Sequence, residues 1–351
     1  MSVKIPEALT CPIPKTDYDT IQMAHGAGGR LSAELVEKFF LPRFRNAILE
    51  KLDDQAVIDL PPGRVAISTD SFVVSPIFFP GGDIGDLAVN GTVNDVAMSG
   101  AKPRYLTAGF ILEEGLPLEV LHRVLLSMEA AASRAGVNII TGDTKVVERG
   151  HCDNLFINTT GIGVIATHLN ISAGNLKPGD KILLSGTIAD HGAAILTTRK
   201  GLSFSSELTS DTAPLNGLVE AMTTICPEIH ALRDPTRGGV AMTLNEFARA
   251  SHVGILIHEE RIPIQSGVRG ACEILGLDPL LVANEGKLIA SVPPEAADEV
   301  LAAMRQHPLG RNAVELGEVT AENTGLVVMR TALGTHRIVD VPLGEQLPRI
   351  C

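Results

Sequence analysis

The sequence predicts an α+β protein of two domains followed by a flexible C-terminal tail. The chain has 351 residues, which is enough for two domains with separate hydrophobic cores. Apolar residues make up 45% of the chain and aromatic residues 3%, with no Trp, so both cores are expected to be aliphatic. Short apolar runs of β type alternate with stretches of helical periodicity in both halves, as in mixed α and β structure.

Domain boundaries follow from changes in this pattern. The turn NLKPGDK at 175–181 lies close to the boundary that we place near residue 170. The last ten residues include two prolines and show no periodicity. We predict an N-terminal extension with a Gly-rich segment at 1–50, an N-terminal domain at 51–170, a C-terminal domain at 171–341, and a mobile tail at 342–351 that carries Cys351.

The elements can be predicted in order along the chain. A helix is expected after the Gly-rich AHGAGGR, because apolar residues recur at helical spacing in LSAELVEKFFLPRF. The first half then predicts strands at 56–60, 64–74, 104–112, 137–147 and 155–165, and helices at 85–100 and 117–136. The second half predicts strands at 182–188, 254–258, 287–292, 313–319, 324–330 and 336–341, and helices near 191–200, 213–226, 238–251, 267–276 and 295–306.

Charge and cysteine content exclude several classes of protein. The formal net charge of −12 argues against general nucleic-acid binding, which needs a basic surface. A nucleotide substrate is compatible with this negative charge, because magnesium can bridge carboxylates and phosphates. No stretch reaches the roughly 18 apolar residues of a membrane span. The five cysteines are odd in number and form no CxxC, so we predict no disulfide framework or thiolate zinc site, and a reducing cytoplasm.

The N-terminal half places single aspartates at strand ends and in Gly-rich turns. These residues are Asp54, Asp70, Asp83, Asp95 and Asp143. Carboxylates from different strand ends can converge, and several hard oxygen ligands at one point suit magnesium with its phosphate ligands. Each aspartate by itself is equally typical of a helix cap or an Asx-turn, so only their combination predicts a metal-phosphate site.

Three other motifs have both a functional and a structural interpretation. AHGAGGR could approach a phosphate, but no GK[ST] follows it, so it could equally be an ordinary turn. DPTRGGV could bind an anion at a helix N-terminus through its glycine N–H groups and Arg237, or Asp234 could simply cap that helix. VANEGKL places Glu285 just before a strand, where a surface glutamate would also fit.

The order of these motifs along the chain is that of a known family. HGAGG, STDSFVVSP, PGGDIGDLAVNGTVNDVAMSGAKP, TGDTKVV, DPTRGGV, NEGK and a terminal PRIC all occur. Over nearly its whole length the chain resembles the HypE family, the carbamoyl dehydratases of [NiFe]-hydrogenase maturation. The aspartate pattern is similar to that of the wider aminoimidazole ribonucleotide synthetase superfamily, and PRIC separates HypE from those relatives.

The resemblance implies a fold and an activity. The implied fold is aminoimidazole ribonucleotide synthetase-like, with an N-terminal mixed or antiparallel sheet that dimerises and binds ATP and Mg²⁺, and a C-terminal α/β sandwich. A HypF-type carbamoyltransferase would carbamoylate Cys351. The homodimer would use ATP to dehydrate this group to S-cyanate. The cyanide would pass to an iron-carrying HypC–HypD-type scaffold, for the NiFe(CN)₂CO centre.

The resemblance also implies roles for particular residues. Cys351, Lys145 and Glu285 would be catalytic, with the last two around the carboxamide nitrogen. Magnesium would be held by Asp54, Asp70, Asp83, Asp95 and Asp143. The nucleotide would be bound by Gly28, Gly29, Asp54, Asp70, Asn94, Asp95, Asp143, Thr144, Asp234 and Arg237.

Two alternatives differ in class. One is a non-catalytic thiol carrier that binds nucleotide only as a regulator. The other is a selenophosphate synthetase-like enzyme or another ATP-dependent kinase of the superfamily. No Cys stands just before the HGAGG turn, where a selenium-handling residue would be expected, since Cys11 lies well upstream.

Overall fold

A computed structural model describes residues 14–53, 55–202, 208–341 and 349–351. Asp54, one of the predicted ligands, and most of the predicted tail lie outside these ranges. Within them no helix is both long and apolar enough to cross a membrane.

The N-terminal half is built on a four-stranded sheet in the order β1-β6-β4-β5. β4 and β5 are parallel, whereas β6 is antiparallel to both of its neighbours. The elements of this half are α1 (Arg30–Leu35), a π-helical turn (Val36–Phe40), α2 (Leu41–Phe44), β1 (Arg64–Phe72), β2 (Phe78–Phe79), β3 (Gly82–Asp83), α3 (Ile84–Ala97), β4 (Ala101–Glu113), α4 (Leu118–Ala135), β5 (Asn138–Val147) and β6 (Leu155–Ile165).

The two faces of this sheet differ. The inner face is covered by α3, which is buried over almost its whole length and packs against α4. The outer face carries the exposed apolar side chains of Val65, Ile67 and Ile111. Helix α4 ends where Gly136 takes the left-handed conformation at φ 69° and caps the helix C-terminus.

The C-terminal half contains a seven-stranded sheet in the order β13-β12-β9-β11-β7-β10-β8, flanked by helices. Its elements are β7 (Lys181–Leu184), α5 (Asp190–Lys200), α6 (Asn216–Ile225), β8 (Ala231–Arg233), α7 (Gly239–Ala250), β9 (Gly254–His258), α8 (Ser266–Leu275), β10 (Ile289–Val292), α9 (Ala297–Gln306), β11 (Val314–Thr320), β12 (Val327–Arg330) and β13 (His336–Ile338).

Most of the predicted elements are confirmed, with three differences. Residues 56–60, predicted as a strand, form none. The short strands β2, β3 and β8 have no counterpart among the predicted strands. The predicted helix at 213–226 begins later, at Asn216, because the main chain of Ala213 and Leu215 is bound by the side chain of Asn94 from α3. These bonds tie the two halves of the chain together.

Candidate functional site

An acidic cluster lies where the inner face of the N-terminal sheet meets the C-terminal half. Asp70 of β1 and Asp95 of α3 lie close together, and Ser68 Oγ donates to Asp95 at 2.6 Å. Asp234, after β8, and Glu285, before β10, are almost fully buried beside them. Four carboxyl groups from four separate segments therefore converge, and of the five aspartates that the sequence predicted to meet, only Asp70 and Asp95 are among them.

Burial and mutual repulsion perturb the acidity of this cluster. Burial and the charge of Asp95 raise the pKa of Asp70 to about 7. Burial raises the pKa of Asp234 to about 8, and that of Glu285 well above its ordinary value, with the neighbouring aspartates adding to both shifts. Glu285 Oε1 is buried without a hydrogen-bond partner. Such a site favours either protons or a bound cation.

The loop that presents Glu285 is held by Asp211. The two carboxylate oxygens of Asp211 accept from the main-chain N–H groups of Glu285 and Gly286, at 3.2 and 3.1 Å, and from Lys287 Nζ at 2.9 Å. A Cβ at position 286 would lie 1.8 Å from the carbonyl oxygen of Asp211. The glycine of the NEGK motif is therefore required by close packing.

Asn94, predicted to bind the nucleotide, has a structural role in this chain. Its Nδ2 donates to the carbonyls of Ala213 and Glu285, and its Oδ1 accepts from the N–H of Leu215. The residue is fully buried. Because these bonds use its polar atoms, Asn94 positions the loops around the acidic cluster.

Asp83, predicted as a magnesium ligand, lies apart from the acidic cluster. Its carboxylate caps α3 by accepting from the N–H groups of Gly85 and Asp86, at 2.8 and 3.2 Å, and from the hydroxyl of Ser127. Asp95 follows twelve residues later on the same helix, about 18 Å along its axis. Within one chain these two carboxylates do not share one site, contrary to the prediction, because continuous helix α3 lies between them.

Asp143 and Lys145 lie on the outer face of the sheet. Both are on β5, and their side chains form an exposed ion pair of 3.3 Å. Across the sheet Asp143 pairs with Gly109, Gly109 with Asn158, and Asn158 with Ser71. The side chains of this row lie on the face opposite to that of Asp70, which is one residue out of the row. Within one chain Asp143 therefore does not join Asp70 and Asp95, contrary to the expected convergence.

A cavity of about 220 Å³ separates the Gly-rich segment from β4 and β5. Gly28, with φ 79°, lines it together with Asp143, Thr144 and Lys145, and its other walls are mostly apolar. Gly29 is the N-cap of α1, and a Cβ added there would meet no atom within 4 Å. A Cβ on Gly26 would meet the main-chain nitrogen of Val146 at 2.5 Å, so this glycine permits the close approach. An apolar cavity with polar groups at one end suits a nucleotide.

The DPTRGGV segment opens α7, as predicted. The helix begins at Gly239 with Gly238 as its N-cap, and both have positive φ. Asp234 does not cap this helix and belongs to the acidic cluster, so its interpretation as a plain helix cap is wrong. Arg237 is exposed and its charge acts on Asp70.

The described end of the chain lies against the end of β1. The N–H of Val73 donates to the main-chain oxygen of Cys351 at 3.1 Å, and the N–H of Ser75 donates to the carbonyl of Arg349 at 3.4 Å. Ile350 is buried, and Cys351 is half-buried against the same apolar cluster. Val73 also lines a groove of about 330 Å³ on the outer face, which extends to Asp143 and Lys145.

The described ranges contain no group of three or more His, Cys, Asp or Glu side chains arranged to hold a metal ion. The chemistry of the acidic cluster nevertheless fits magnesium, because Asp70, Asp95 and Asp234 offer hard oxygen ligands whose repulsion a divalent cation would offset. Phosphate oxygens and waters would have to complete its coordination.

Sequence reasoning missed the residues that hold the functional segments in place. Asp211 fixes the Glu285 loop, and His191 and Arg199 of α5 bind the carbonyls of Ile350 and Arg349. These residues act on main-chain atoms distant in the sequence, so no local motif marks them. In the described part of the chain, Cys152, Cys226, Cys272 and Cys351 form no disulfide.

Comparison with known proteins places this site in a family. The model of the AIR synthase related protein N-terminal domain matches residues 52–165, and that of the C-terminal domain matches residues 177–329. The carbamoyl dehydratase HypE of Azotobacter vinelandii is 57% identical over 332 residues, covering 95% of this chain and 97% of that protein.

Two solved structures are also similar. A crystal structure of the hydrogenase maturation protein HypE in complex with ATP has 53% identity and a TM-score of 0.91, covering 94% of this chain and 99% of the other. A HypE chain in a HypE–HypF complex has 50% identity and a TM-score of 0.78, covering 88% and 99%. The chain therefore belongs to the AIR synthase related proteins and, within them, to the family of carbamoyl dehydratase HypE.

Proposed function

We propose that this protein uses ATP to dehydrate an S-carbamoyl group on Cys351 to S-cyanate, which supplies cyanide for hydrogenase maturation. The observation that carries the proposal is the position of the Cys351 segment. It is bound at Val73, on the rim of a groove that reaches Lys145 and Asp143, which also line the cavity beside the Gly-rich segment. The thiol of Cys351 and the cavity beside the Gly-rich segment therefore open onto the same surface.

The chemistry needs a leaving group on carbon. The carboxamide oxygen leaves readily once the γ-phosphoryl group of ATP has been transferred to it, and the Lys145 ammonium stabilises the charge that develops there. Glu285 accepts one proton from the nitrogen as the oxygen is phosphorylated, and the departing phosphate takes the second, which leaves the nitrile on sulfur. Magnesium, held by Asp70, Asp95 and Asp234, would neutralise phosphate charge and lower the raised pKa values of Asp70 and Asp234, so that these two ionise.

We further propose that the working unit is a homodimer in which the outer faces of the two N-terminal sheets cover each other. Exposed Val65, Ile67 and Ile111 on this face support it, because such side chains are commonly buried between subunits. In one chain Lys145 and Val73 are separated by three strand spacings, about 14 Å. Facing sheets pack about 10 Å apart, so a second copy can bring its own Lys145 and Asp143 to Cys351.

Mixed dimers test this arrangement directly. One protomer carries Cys351→Ala and the other Lys145→Ala, and the mixed dimer is purified through two different affinity tags. Each homodimer should be inactive, whereas the mixed dimer should have one complete site and about half the wild-type rate. An inactive mixed dimer with normal nucleotide binding would show that Lys145 acts on Cys351 of its own chain.

Intact mass spectrometry tests the reaction itself. After carbamoylation, addition of ATP and Mg²⁺ should remove one water from the adduct on Cys351, and ADP should form in equal amount. A carbamoyl adduct that persists while ATP is bound would favour the thiol carrier instead.

The reaction needs one partner that supplies the carbamoyl group and another that accepts the cyanide. A HypF-type carbamoyltransferase would load Cys351, and an iron-carrying HypC–HypD-type scaffold would accept the cyanide. Both exchanges require a reduced Cys351, and we propose a cytoplasmic location for this reason.

A further inference from the structure

Helix α5 contacts the Cys351 segment through two side chains that neither the reaction nor the predicted motifs involve. His191 is in its first turn and Arg199 in its last. The ring Nε2 of His191 lies 2.8 Å from the carbonyl oxygen of Ile350. Arg199 donates to the carbonyl oxygens of Arg349 and Ser75, each at 2.7 Å. The helix thus spans the segment from one side while Val73 and Ser75 bind it from the other.

The hydrogen bonds fix the protonation state of His191. A carbonyl oxygen can only accept, so Nε2 carries the proton, and Nδ1 accepts from the hydroxyl of Ser210 at 2.8 Å. Burial lowers the pKa of His191, which keeps the ring neutral. The ring is fully buried and packs edge-on against Phe79. His191 is therefore a rigid donor aimed at a single acceptor.

The His191 N–H has the carbonyl oxygen of Ile350, in the Cys351 segment, as its acceptor. A buried N–H without an acceptor is unfavourable, so the docked position of Ile350 satisfies His191 as much as His191 holds Ile350. Ile350 itself is 3% exposed and packs in the main apolar cluster, which adds an anchor next to the reacting residue. The contacts are to main-chain carbonyls, and they set the position of the chain along the groove.

We propose that His191 and Arg199 are positioning residues that set the depth at which Cys351 enters the groove during dehydration. This inference rests on the proposed function, since it concerns the same thiol and the same groove. The pair fixes the carbonyls one and two residues before Cys351, and with them the placement of the sulfur. Neither residue takes part in phosphoryl or proton transfer.

The test uses the full-length dimer and four variants. His191→Leu removes the donor and keeps an apolar side chain, while His191→Gln keeps an N–H near the same point. Arg199→Ala removes the second contact, and Arg249→Ala, an exposed arginine in the last turn of α7, is the matched control. The readouts are the alkylation rate of Cys351 with Cys152 as an internal reference, single-turnover dehydration followed by intact mass, and ATP affinity by calorimetry.

We expect His191→Leu and Arg199→Ala to raise Cys351 alkylation and to slow dehydration about five- to tenfold each, the effect of one lost hydrogen bond. ATP affinity should be unchanged, His191→Gln should restore most of the rate, and Arg249→Ala should match wild type. Unchanged alkylation and dehydration in both loss variants, or a Gln variant as impaired as Leu, would overturn the proposal. Should His191→Leu fail to fold, Arg199→Ala decides alone. A wild-type protein that docks Cys351 but never loses water would instead contradict the proposed function.

Discussion

Asp70 of β1 and Asp95 of α3 lie side by side, where Ser68 Oγ donates to Asp95 at 2.6 Å. Burial and the neighbouring charge of Asp95 raise the pKa of Asp70 to about 7. Asp70 therefore links the stability of the protein to pH.

Asp70→Asn should stabilise the nucleotide-free protein at alkaline pH. The pKa of Asp70 is raised to about 7 in the folded protein, whereas the unfolded chain loses this proton near about pH 4. Stability therefore falls as the pH rises from about 4 to about 7 and stays reduced above that. Asn removes this loss, so its melting temperature should exceed that of wild type by about 1–2 °C at pH 8, a gain of about 1 kcal/mol after solvent screening.

The same variant should show equal stability to wild type at pH 4 and weaker binding of Mg·ATP at pH 8. Differential scanning calorimetry at the two pH values and titration calorimetry measure both effects. A variant that melts below wild type at pH 8 would mean that Asp70 is ionised and stabilising in the folded protein.

Asp83 and Asp143 form a contrasting pair. Asp83→Ala removes the cap of α3 and should reduce the free energy of unfolding by about 1–2 kcal/mol, with little change in nucleotide affinity. Asp143→Asn alters an exposed side chain and should leave stability within about 0.5 kcal/mol of wild type. It should nevertheless weaken Mg·ATP binding about tenfold, because a charged contact is lost. Urea unfolding and calorimetry of both variants separate the two roles, and the reverse pattern would refute them.

Glu285→Gln should stop the reaction after carbamoylation. The substitution keeps size and shape in a buried position, so the fold and the docked Cys351 segment should persist. Without a base for the nitrogen proton, the carbamoyl adduct should accumulate in the presence of ATP. Loss of one water at the wild-type rate, seen by mass spectrometry, would show that another group is the base.

Gly286→Ala should disrupt the loop that presents Glu285. Its Cβ would collide with the carbonyl of Asp211, and relief requires a shift of main chain rather than of a flexible side chain. We expect a loss of at least about 2 kcal/mol in unfolding free energy and strongly reduced dehydration. Gly270→Ala in α8 is the control, because a Cβ there meets nothing within 4 Å and should stabilise the helix slightly. Equal stability of the two variants would exclude the close contact.

Cys351→Ala should abolish cyanate formation and leave ATP affinity unchanged, because the thiol is the attachment point and not part of the nucleotide cavity. Cys152→Ala should keep both properties, although Cys152 is near Arg349 and is also half-buried. Transfer of cyanide by the Cys351→Ala protein, measured in a reconstituted maturation assay, would contradict the tether.

The sequence predicted most of the elements, but of the five aspartates expected to converge only Asp70 and Asp95 lie in the acidic cluster. Strand periodicity located β1, β4, β5 and β6, because alternate apolar residues must face α3 and α4. The same periodicity could not tell that Asp143 and Asp70 lie on opposite faces, since this depends on the register between strands. Asp83 and Asp95 looked alike in sequence, and only the length of α3 separates a cap from a cluster member.

The docking of Cys351 was beyond prediction for a different reason. His191 and Arg199 bind carbonyl groups, which every residue has, so no pattern in the sequence identifies them as partners of Ile350 and Arg349. Asp211 likewise binds main-chain N–H groups of the Glu285 loop. Such contacts arise from tertiary structure alone.

The outer face of the N-terminal sheet keeps Lys145 three strand spacings, about 14 Å, from Val73 and the docked Cys351 within one chain. In the proposed dimer the partner's Lys145 reaches Cys351, so only the assembled protein has a complete site. Idle ATP turnover by unassembled subunits would then be suppressed without any inhibitor. Assembly itself would act as the safeguard that reserves ATP for chains able to present a loaded cysteine.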